Sequence, residues 1–307
     1  MSDAVDPVRS TDPAFNRRTF VGLSAGAAAA AATVTQAGAQ ELGKPHAPIV
    51  AENDPAIVAS AQQLSSPKVE DGSARTIDAY YAAPKNAGPT TPCVVICMHL
   101  WGVDSQLRDT ARRLAKAGYR TIAPNLYSGL PVPNGDGATE YQDFVTKGAA
   151  ALSDAQIDAD LAAGAAFVRA SSTRGKIGVT GFCMGGSMAL RQTVDRGDTY
   201  AAAAMWYGKV RYGTTANNGP VTPIALAYAD EIQVPLLGSF GARDTSIKAD
   251  DVRALDRRLT ELGKPHDLKV YDEAGHGFFD DMRDSYVASA ATDAYARTLA
   301  WFAKYLK

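Results

Sequence analysis

Residues 176–190 read KIGVTGFCMGGSMAL, a short β-branched apolar run that turns sharply at Cys183 and continues as a helix-forming segment. The pattern Gly-X-Cys-X-Gly is typical of a nucleophile elbow, a strained strand-to-helix turn that lifts the nucleophile above a sheet. Glycine is needed at 181 and 185 because a Cβ there would clash across the turn. The alternative interpretation is a glycine-rich turn that carries a buried free cysteine.

The composition is that of a globular protein. The chain has 307 residues, of which 46% are hydrophobic and 21% are charged, so it can form one large α/β domain or two small ones around a sizeable core. The formal net charge of -2 argues against nucleic acid binding, which calls for a basic face. No basic cluster indicates an anionic membrane partner. We expect neither nucleic acid nor, apart from export, a membrane as partner.

The first 39 residues resemble an export signal. Arg17 and Arg18 precede a weakly apolar stretch rich in alanine and glycine, and residues 37–39 form an Ala-Gly-Ala cleavage site. This order is typical of a twin-arginine signal, and the apolar stretch of about 14 residues is too short to span a bilayer. We expect export to the periplasm or the medium and a mature chain from about Gln40. The alternative is a chance arginine pair on an alanine-rich tail.

The three cysteines do not indicate a disulfide framework. Cys93 and Cys97 lie in one predicted strand, about 13 Å apart, too far for a disulfide while that strand is intact. Cys183 is then a free thiol in a compartment that oxidises thiols, which favours a functional role for it and leaves oxidation as a liability.

The remaining sequence alternates predicted strands and helices. Residues 40–70 are interpreted as an N-terminal extension, with a short helix around 56–64, and residues 71–307 as one domain without an internal linker. Strands are predicted at 75–82, 93–98, 119–123, 177–181, 201–207, 234–240 and 268–271. Helices are predicted at 105–117, 153–170, 187–194, 247–262 and 285–306. This alternation predicts a mostly parallel sheet with helices on both faces.

Three reactive side chains follow the carboxyl ends of predicted strands, where ligands of α/β sheets bind. They are Cys183, Asp244 and His276, in the chain order nucleophile, acid, histidine that α/β-hydrolases share. His276 can accept the thiol proton, and Asp244 can orient and stabilise the imidazole. The backbone N–H groups of Met184 and Leu100 would hold a tetrahedral oxyanion.

Blander interpretations remain for several of these residues. Asp244 can be a turn residue or the cap of the next helix, and His99 can simply form a local hydrogen bond. A zinc site of His99, Cys183 and His276 lacks a local ligand pair, so we expect no metal and no other cofactor. His46 is assigned no role, and neither is His266.

Four motifs together resemble the dienelactone hydrolase family over residues 70–307. They are GFCMGG at 181–186, HLWGV at 99–103, the segment from Gly118-Tyr119 to APNLY at 123–127, and GHGF at 275–278. The resemblance implies an α/β-hydrolase fold and a triad of Cys183, Asp244 and His276. It places the oxyanion hole at the N–H groups of Leu100 and Met184. The implied activity is hydrolysis of an ester or lactone, as in opening a butenolide ring.

The sequence departs from that family at two positions. His99 stands where members that process dienelactone have a glutamate, so it is expected to act as a base or, protonated, to stabilise a thiolate. Asp280 stands where those members have an arginine that binds the substrate carboxylate. An anionic substrate would be repelled there unless Arg283 or Arg243 compensates. We therefore expect a less acidic substrate.

Five aromatic residues near strand ends are candidates for a wall along the acyl group or, equally, for ordinary core. They are Trp101, Tyr127, Trp206, Tyr207 and Phe278. We expect a monomeric hydrolase of a small-molecule ester or lactone that forms an acyl-enzyme on Cys183. The alternatives are an esterase for larger acyl substrates, such as acetylated sugars or polyester fragments, and a non-catalytic thiol-based binding or redox-sensor protein.

Overall fold

The computed structural model describes residues 47–133, 136, 141–211 and 223–307. The predicted export signal at residues 1–39 lies outside the described residues. Within the described part of the chain, no helix is both long enough and apolar enough to cross a membrane.

One sheet of eight strands forms the centre of the described chain. The strands are β1 Ile57–Pro67, β2 Ala74–Pro84, β3 Cys93–Cys97, β4 Arg120–Pro124, β5 Ile177–Phe182, β6 Ala202–Trp206, β7 Leu236–Gly241 and β8 His266–Tyr271. Their order is β1-β2-β4-β3-β5-β6-β7-β8. Strands β3 to β8 pair in parallel, whereas β1 and β2 are antiparallel additions at one edge. The predicted mostly parallel sheet is confirmed.

In the ranges that the structure describes, five long helices cover the sheet, at the places where the sequence predicts them. They are α1 Ser105–Lys116, α2 Asp154–Ser171, α3 Met184–Asp195, α4 Ala249–Glu261 and α5 Ala288–Leu306. Side chains alternate between the two faces of a strand. A Cβ on Gly178 of β5 would meet Phe302 of α5, whereas one on Gly181 would meet the start of α3. Helices α3 and α5 therefore lie on opposite faces.

The core lies where the sheet is covered on both faces. Every residue of β3, β4, β5, β6 and β7 is buried, which agrees with the continuous apolar sequences of β3 and β6 and the mostly apolar ones of the other three. Edge strand β8 instead alternates between exposed and partly buried residues. All three cysteines are free, and Cys93 and Cys97 are fully buried within β3, as the sequence indicates.

The predicted short helix at residues 56–64 is wrong. Residues 57–67 form β1 instead, paired antiparallel with β2 over its whole length. The segment before β1 is held by a buried carboxylate of α1, since Asp109 accepts hydrogen bonds from the backbone N–H groups of Ile49 (3.1 Å) and Val50 (2.9 Å). Backbone pairing and a distant acidic side chain fix this segment, and neither produces an apolar period in the sequence.

Candidate active site

The nucleophile elbow has the backbone geometry that its sequence predicts. Cys183 links β5 to α3 with φ of 55° and ψ of -116°, in the left-handed region that is costly for a residue with a Cβ. A Cβ on Gly181 would overlap the carbonyl oxygen of Gly185, and one on Gly185 would overlap that of Cys97. These clashes explain the two glycines, and the turn leaves Cys183 half-buried rather than enclosed in the core.

Asp244, His276 and Cys183 form one continuous line of contacts. Asp244 follows β7, and its Oδ2 lies 2.7 Å from Nδ1 of His276, in the loop after β8. The Nε2 of His276 lies 3.0 Å from Sγ of Cys183. The Asp244 side chain is 1% exposed and that of His276 37% exposed, so the acid is shielded from water while the imidazole is accessible.

Asp244 also has the local role that the blander interpretation gives it. Its Oδ1 accepts the backbone N–H groups of Ser246 (2.8 Å) and Ile247 (3.0 Å). The two oxygens of the carboxylate are thus divided, one for the turn after β7 and one for His276. Such a turn fixes the carboxylate before any substrate arrives.

The electrostatics favour a charged pair between the thiol and the imidazole. Burial raises the pKa of Cys183, but the charge of His276 and its hydrogen bond, with smaller contributions from His99 and the Met184 N–H, lower it below the ordinary value. Burial lowers the pKa of His276, but the Cys183 thiolate and Asp244 raise it well above the ordinary value. The pair therefore favours a thiolate and an imidazolium more than a separate cysteine and histidine would.

A tight turn after β3 carries the first expected oxyanion donor. The Gly102 N–H donates to the carbonyl of His99 (3.1 Å), and Gly102 has a φ of 80°. Within this turn, the Tyr127 hydroxyl donates to the carbonyl oxygen of Leu100 (2.9 Å). Among the described residues, none accepts a hydrogen bond from the Leu100 N–H.

The second expected donor is the Met184 N–H at the start of α3, which contributes to the lowered pKa of the Cys183 thiol. The first N–H groups of a helix have no partner within the helix and carry partial positive charge. This N–H is therefore suited to hold negative charge that develops beside the thiol.

The loop after His276 brings a charged pair onto Trp101. The guanidinium of Arg283 lies over the indole of Trp101, 4.3 Å from the ring centroid. Its Nε donates to Oδ2 of Asp280 (2.7 Å). Asp280 is buried, and burial raises the pKa of its carboxyl. Arg283 thus compensates the charge at the position where the sequence departs from the resembled family, whereas Arg243 is exposed.

Four of the five aromatic candidates belong to the core. Trp206, Tyr207 and Phe278 are exposed by no more than 3% and Tyr127 by 6%, so the structure favours the core interpretation over a wall along an acyl group for these four residues. The Tyr207 ring instead packs edge-on against the imidazole of His276, with centroids 5.2 Å apart. Phe278 packs in turn against Tyr207. Together they pack against the loop that carries His276.

Sequence reasoning missed one wall of the site. A short helical segment lies at residues 141–151, and its half-buried Tyr141 lies 5.8 Å from Trp101 between ring centroids. Buried Phe144 contacts both Trp101 and Tyr127. The spacing of these aromatic residues on one helical turn was the available signal.

No group of three or more His, Cys, Asp or Glu side chains in the described ranges is placed to hold a metal ion. His99 uses both of its ring nitrogens within its own loop, contacting the Trp101 N–H and Asp104. The arrangement of acid, imidazole and thiol instead matches what acyl transfer through a nucleophile requires.

Comparison with known proteins gives consistent likenesses. A model of the dienelactone hydrolase family matches residues 77–306. A Salmonella typhimurium protein named "Putative carboxymethylenebutenolidase" is 36% identical over 230 residues, covering 74% of this chain and 82% of that protein. One of the same name from Escherichia coli K12 is 33% identical over 278 residues, covering 89% and 97% respectively. The crystal structure of a "Putative Dienelactone Hydrolase" from Klebsiella pneumoniae is 33% identical with a TM-score of 0.68, covering 81% of this chain and 100% of that one.

Proposed function

Because this chain belongs to the dienelactone hydrolase family and is an ester or lactone hydrolase with the α/β-hydrolase fold, we propose that it cleaves its substrate through an acyl-thioester on Cys183. The observation that carries this proposal is the unbroken contact from Asp244 Oδ2 through the imidazole of His276 to the sulfur of Cys183.

In the first step the Cys183 thiolate attacks the carbonyl carbon of the ester. The oxyanion that forms is held by the N–H groups of Leu100 and Met184, each worth about 3 kcal/mol in comparable sites. The tetrahedral intermediate then collapses, the C–O bond breaks, and the leaving oxygen takes the proton from Nε2 of His276. In a lactone this oxygen stays attached to the acyl chain, so the ring opens without release of a fragment.

In the second step water attacks the thioester carbon. His276, now neutral, takes a proton from that water, while Asp244 stabilises the imidazolium that results. The C–S bond breaks, the carboxylic acid leaves and gives its remaining proton to solvent, and the thiolate–imidazolium pair is restored. Water is the co-reactant, and the chain's own residues hold and move the other proton.

The substrate class follows from the groups around the thiol. The butenolide named in the relatives' descriptions indicates a small lactone. The buried carboxylate of Asp280 and the Arg283 that pairs with it leave little net charge beside Trp101. We therefore propose a neutral or weakly acidic lactone or short ester, bound against the indole.

The decisive experiment compares Cys183→Ala and Cys183→Ser with the wild type on p-nitrophenyl acetate and on a small lactone. The alanine variant should lose hydrolysis while its thermal unfolding stays unchanged, and the wild type should gain one acetyl group by mass in a rapid quench. Turnover retained by Cys183→Ala would refute the mechanism. Oxidation of Cys183 without acylation would favour a redox sensor instead.

We also propose export and a monomeric state, as the sequence predicts. Replacing Arg17 and Arg18 together with lysine should leave the full-length precursor inside the cell, because the twin-arginine route reads that pair. Fractionation of the producing cells checks this proposal. The molar mass in solution, measured by light scattering, checks the monomer.

A further inference from the structure

His99 is enclosed in the turn that carries the expected oxyanion donor. The residue is 6% exposed. Nδ1 accepts the backbone N–H of Trp101 at 3.1 Å, and Nε2 lies 3.1 Å from Oδ1 of Asp104. Both ring nitrogens are therefore engaged without reaching Cys183.

The partner of Nε2 is itself rigidly placed. Asp104 caps α1, and the same Oδ1 accepts the N–H of Leu107 at 3.0 Å. The imidazole thus links the fixed start of a helix to the middle of a tight turn. The peptide between Leu100 and Trp101 is held at both ends, its carbonyl by Tyr127 and its N–H by His99.

The hydrogen bonds also define the protonation state of the ring. An Nδ1 that accepts an N–H carries no proton, so the proton of neutral His99 is on Nε2, where it is donated to Asp104. A second proton would place two donors, Nδ1–H and the Trp101 N–H, against each other. In this arrangement neutral His99 cannot act as the base for Cys183.

We infer that neutral His99 is a positioning residue of the hydrolase: it holds the turn that presents the Leu100 N–H to the oxyanion, and its protonation releases that turn and slows hydrolysis. This inference rests on the proposed function, because the oxyanion belongs to the proposed acyl transfer.

Charged groups on three elements face His99. Asp104 lies on its own loop, Asp280 and Arg283 lie on the loop after β8, and Cys183 lies on the elbow. Burial lowers the pKa of His99 and Arg283 opposes protonation, but Asp104 and Asp280 outweigh them and raise it above the ordinary value. Because the neutral form is the positioning form, activity should fall as the pH is lowered through this raised pKa.

Two substitutions separate the two nitrogens of the ring. In His99→Asn, Oδ1 can accept the N–H two residues on, as in an Asx turn, and does not titrate. In His99→Gln, the amide nitrogen can still reach Asp104, but no acceptor remains for the Trp101 N–H. His266→Asn, at the distant start of β8, serves as the control.

The expected result is a split between the two variants in steady-state kinetics. His99→Gln should lose about 10–100-fold in kcat with KM little changed. This loss is smaller than the one that follows complete removal of an oxyanion donor, because the Leu100 N–H is misplaced rather than absent. His99→Asn should stay within about threefold of wild type and lack the acidic inflection assigned to His99. If the glutamine variant equals wild type while the asparagine variant is inactive, or if the inflection persists in His99→Asn, the inference is overturned.

Nitrogen NMR of the imidazole rings gives a readout that does not depend on activity. The His99 resonance, identified by its loss in His99→Asn, should show the Nε2–H tautomer at high pH and titrate above a free imidazole. Two measurements on Cys183→Ala separate the two claims. Turnover by this variant in the activity assay refutes the proposed function, whereas an Nδ1–H tautomer of His99 in its spectrum refutes the positioning role alone.

Discussion

Replacing Asp244 with asparagine should lower kcat by about 10³–10⁴-fold without unfolding the protein. The asparagine Oδ1 can keep the two backbone hydrogen bonds from Ser246 and Ile247. The amide NH2 then faces Nδ1 of His276, which must become an acceptor. The proton of the neutral imidazole moves to Nε2, which faces Cys183. A protonated Nε2 cannot accept the proton of the attacking water.

The magnitude has two parts. The 2.7 Å contact between Asp244 and His276 is charge-assisted, so its loss costs about 1.5–3 kcal/mol, or about 10–150-fold. The inverted tautomer accounts for the rest of the loss, since it removes the general base from nearly all molecules.

The assay is kcat on p-nitrophenyl acetate across pH, together with urea unfolding of both proteins. Unfolding should differ by less than about 1 kcal/mol because the turn after β7 keeps its bonds. A loss in kcat of less than tenfold, with unfolding unchanged, would refute the role assigned to Asp244.

Three further outcomes test other parts of the site. Gly181→Ala should destabilise the protein by about 3 kcal/mol or more, because its Cβ would overlap a backbone oxygen, whereas Gly88→Ala, in open space, should be nearly neutral in urea unfolding. The Cys183 thiol, with its lowered pKa, should react with iodoacetamide at a lower pH than an ordinary thiol does. His276→Gln should move that reaction to higher pH. Unchanged pH profiles would contradict the ion pair. Arg283→Gln should raise KM about tenfold for a carboxylate-bearing lactone while leaving KM for a neutral ester unchanged; equal effects on both substrates would exclude the electrostatic explanation.

The parts of this site that are fixed by local sterics could be predicted from sequence. The elbow needs Gly181 and Gly185 within five residues of chain, so the requirement is visible in a short window. The order of Cys183, Asp244 and His276 could also be predicted, because the carboxyl ends of parallel strands meet at one edge of a sheet. Both features depend on chain order and backbone geometry alone.

The parts that depend on long-range contacts could not be predicted from the sequence. Strand β1 has no apolar alternation, and its pairing with β2 and the bond from Val50 to Asp109 come from the folded neighbourhood. Phe278 reads as a site aromatic beside His276, yet the loop after β8 folds back and buries it completely. Proximity in sequence to His276 therefore did not decide whether a side chain faces the substrate or the core.

Asp104 and Asp244 play parallel parts, and this explains how the fold prepares the site before substrate binds. Each carboxylate accepts a backbone N–H three residues on, at Leu107 and Ile247, and each also contacts a histidine ring. The start of a local turn or helix thereby sets the orientation of both imidazoles. The free energy needed to order that turn or helix is supplied when the chain folds. A preorganised site of this kind spends little substrate binding energy on alignment. Loosening either cap should therefore lower kcat more than it raises KM.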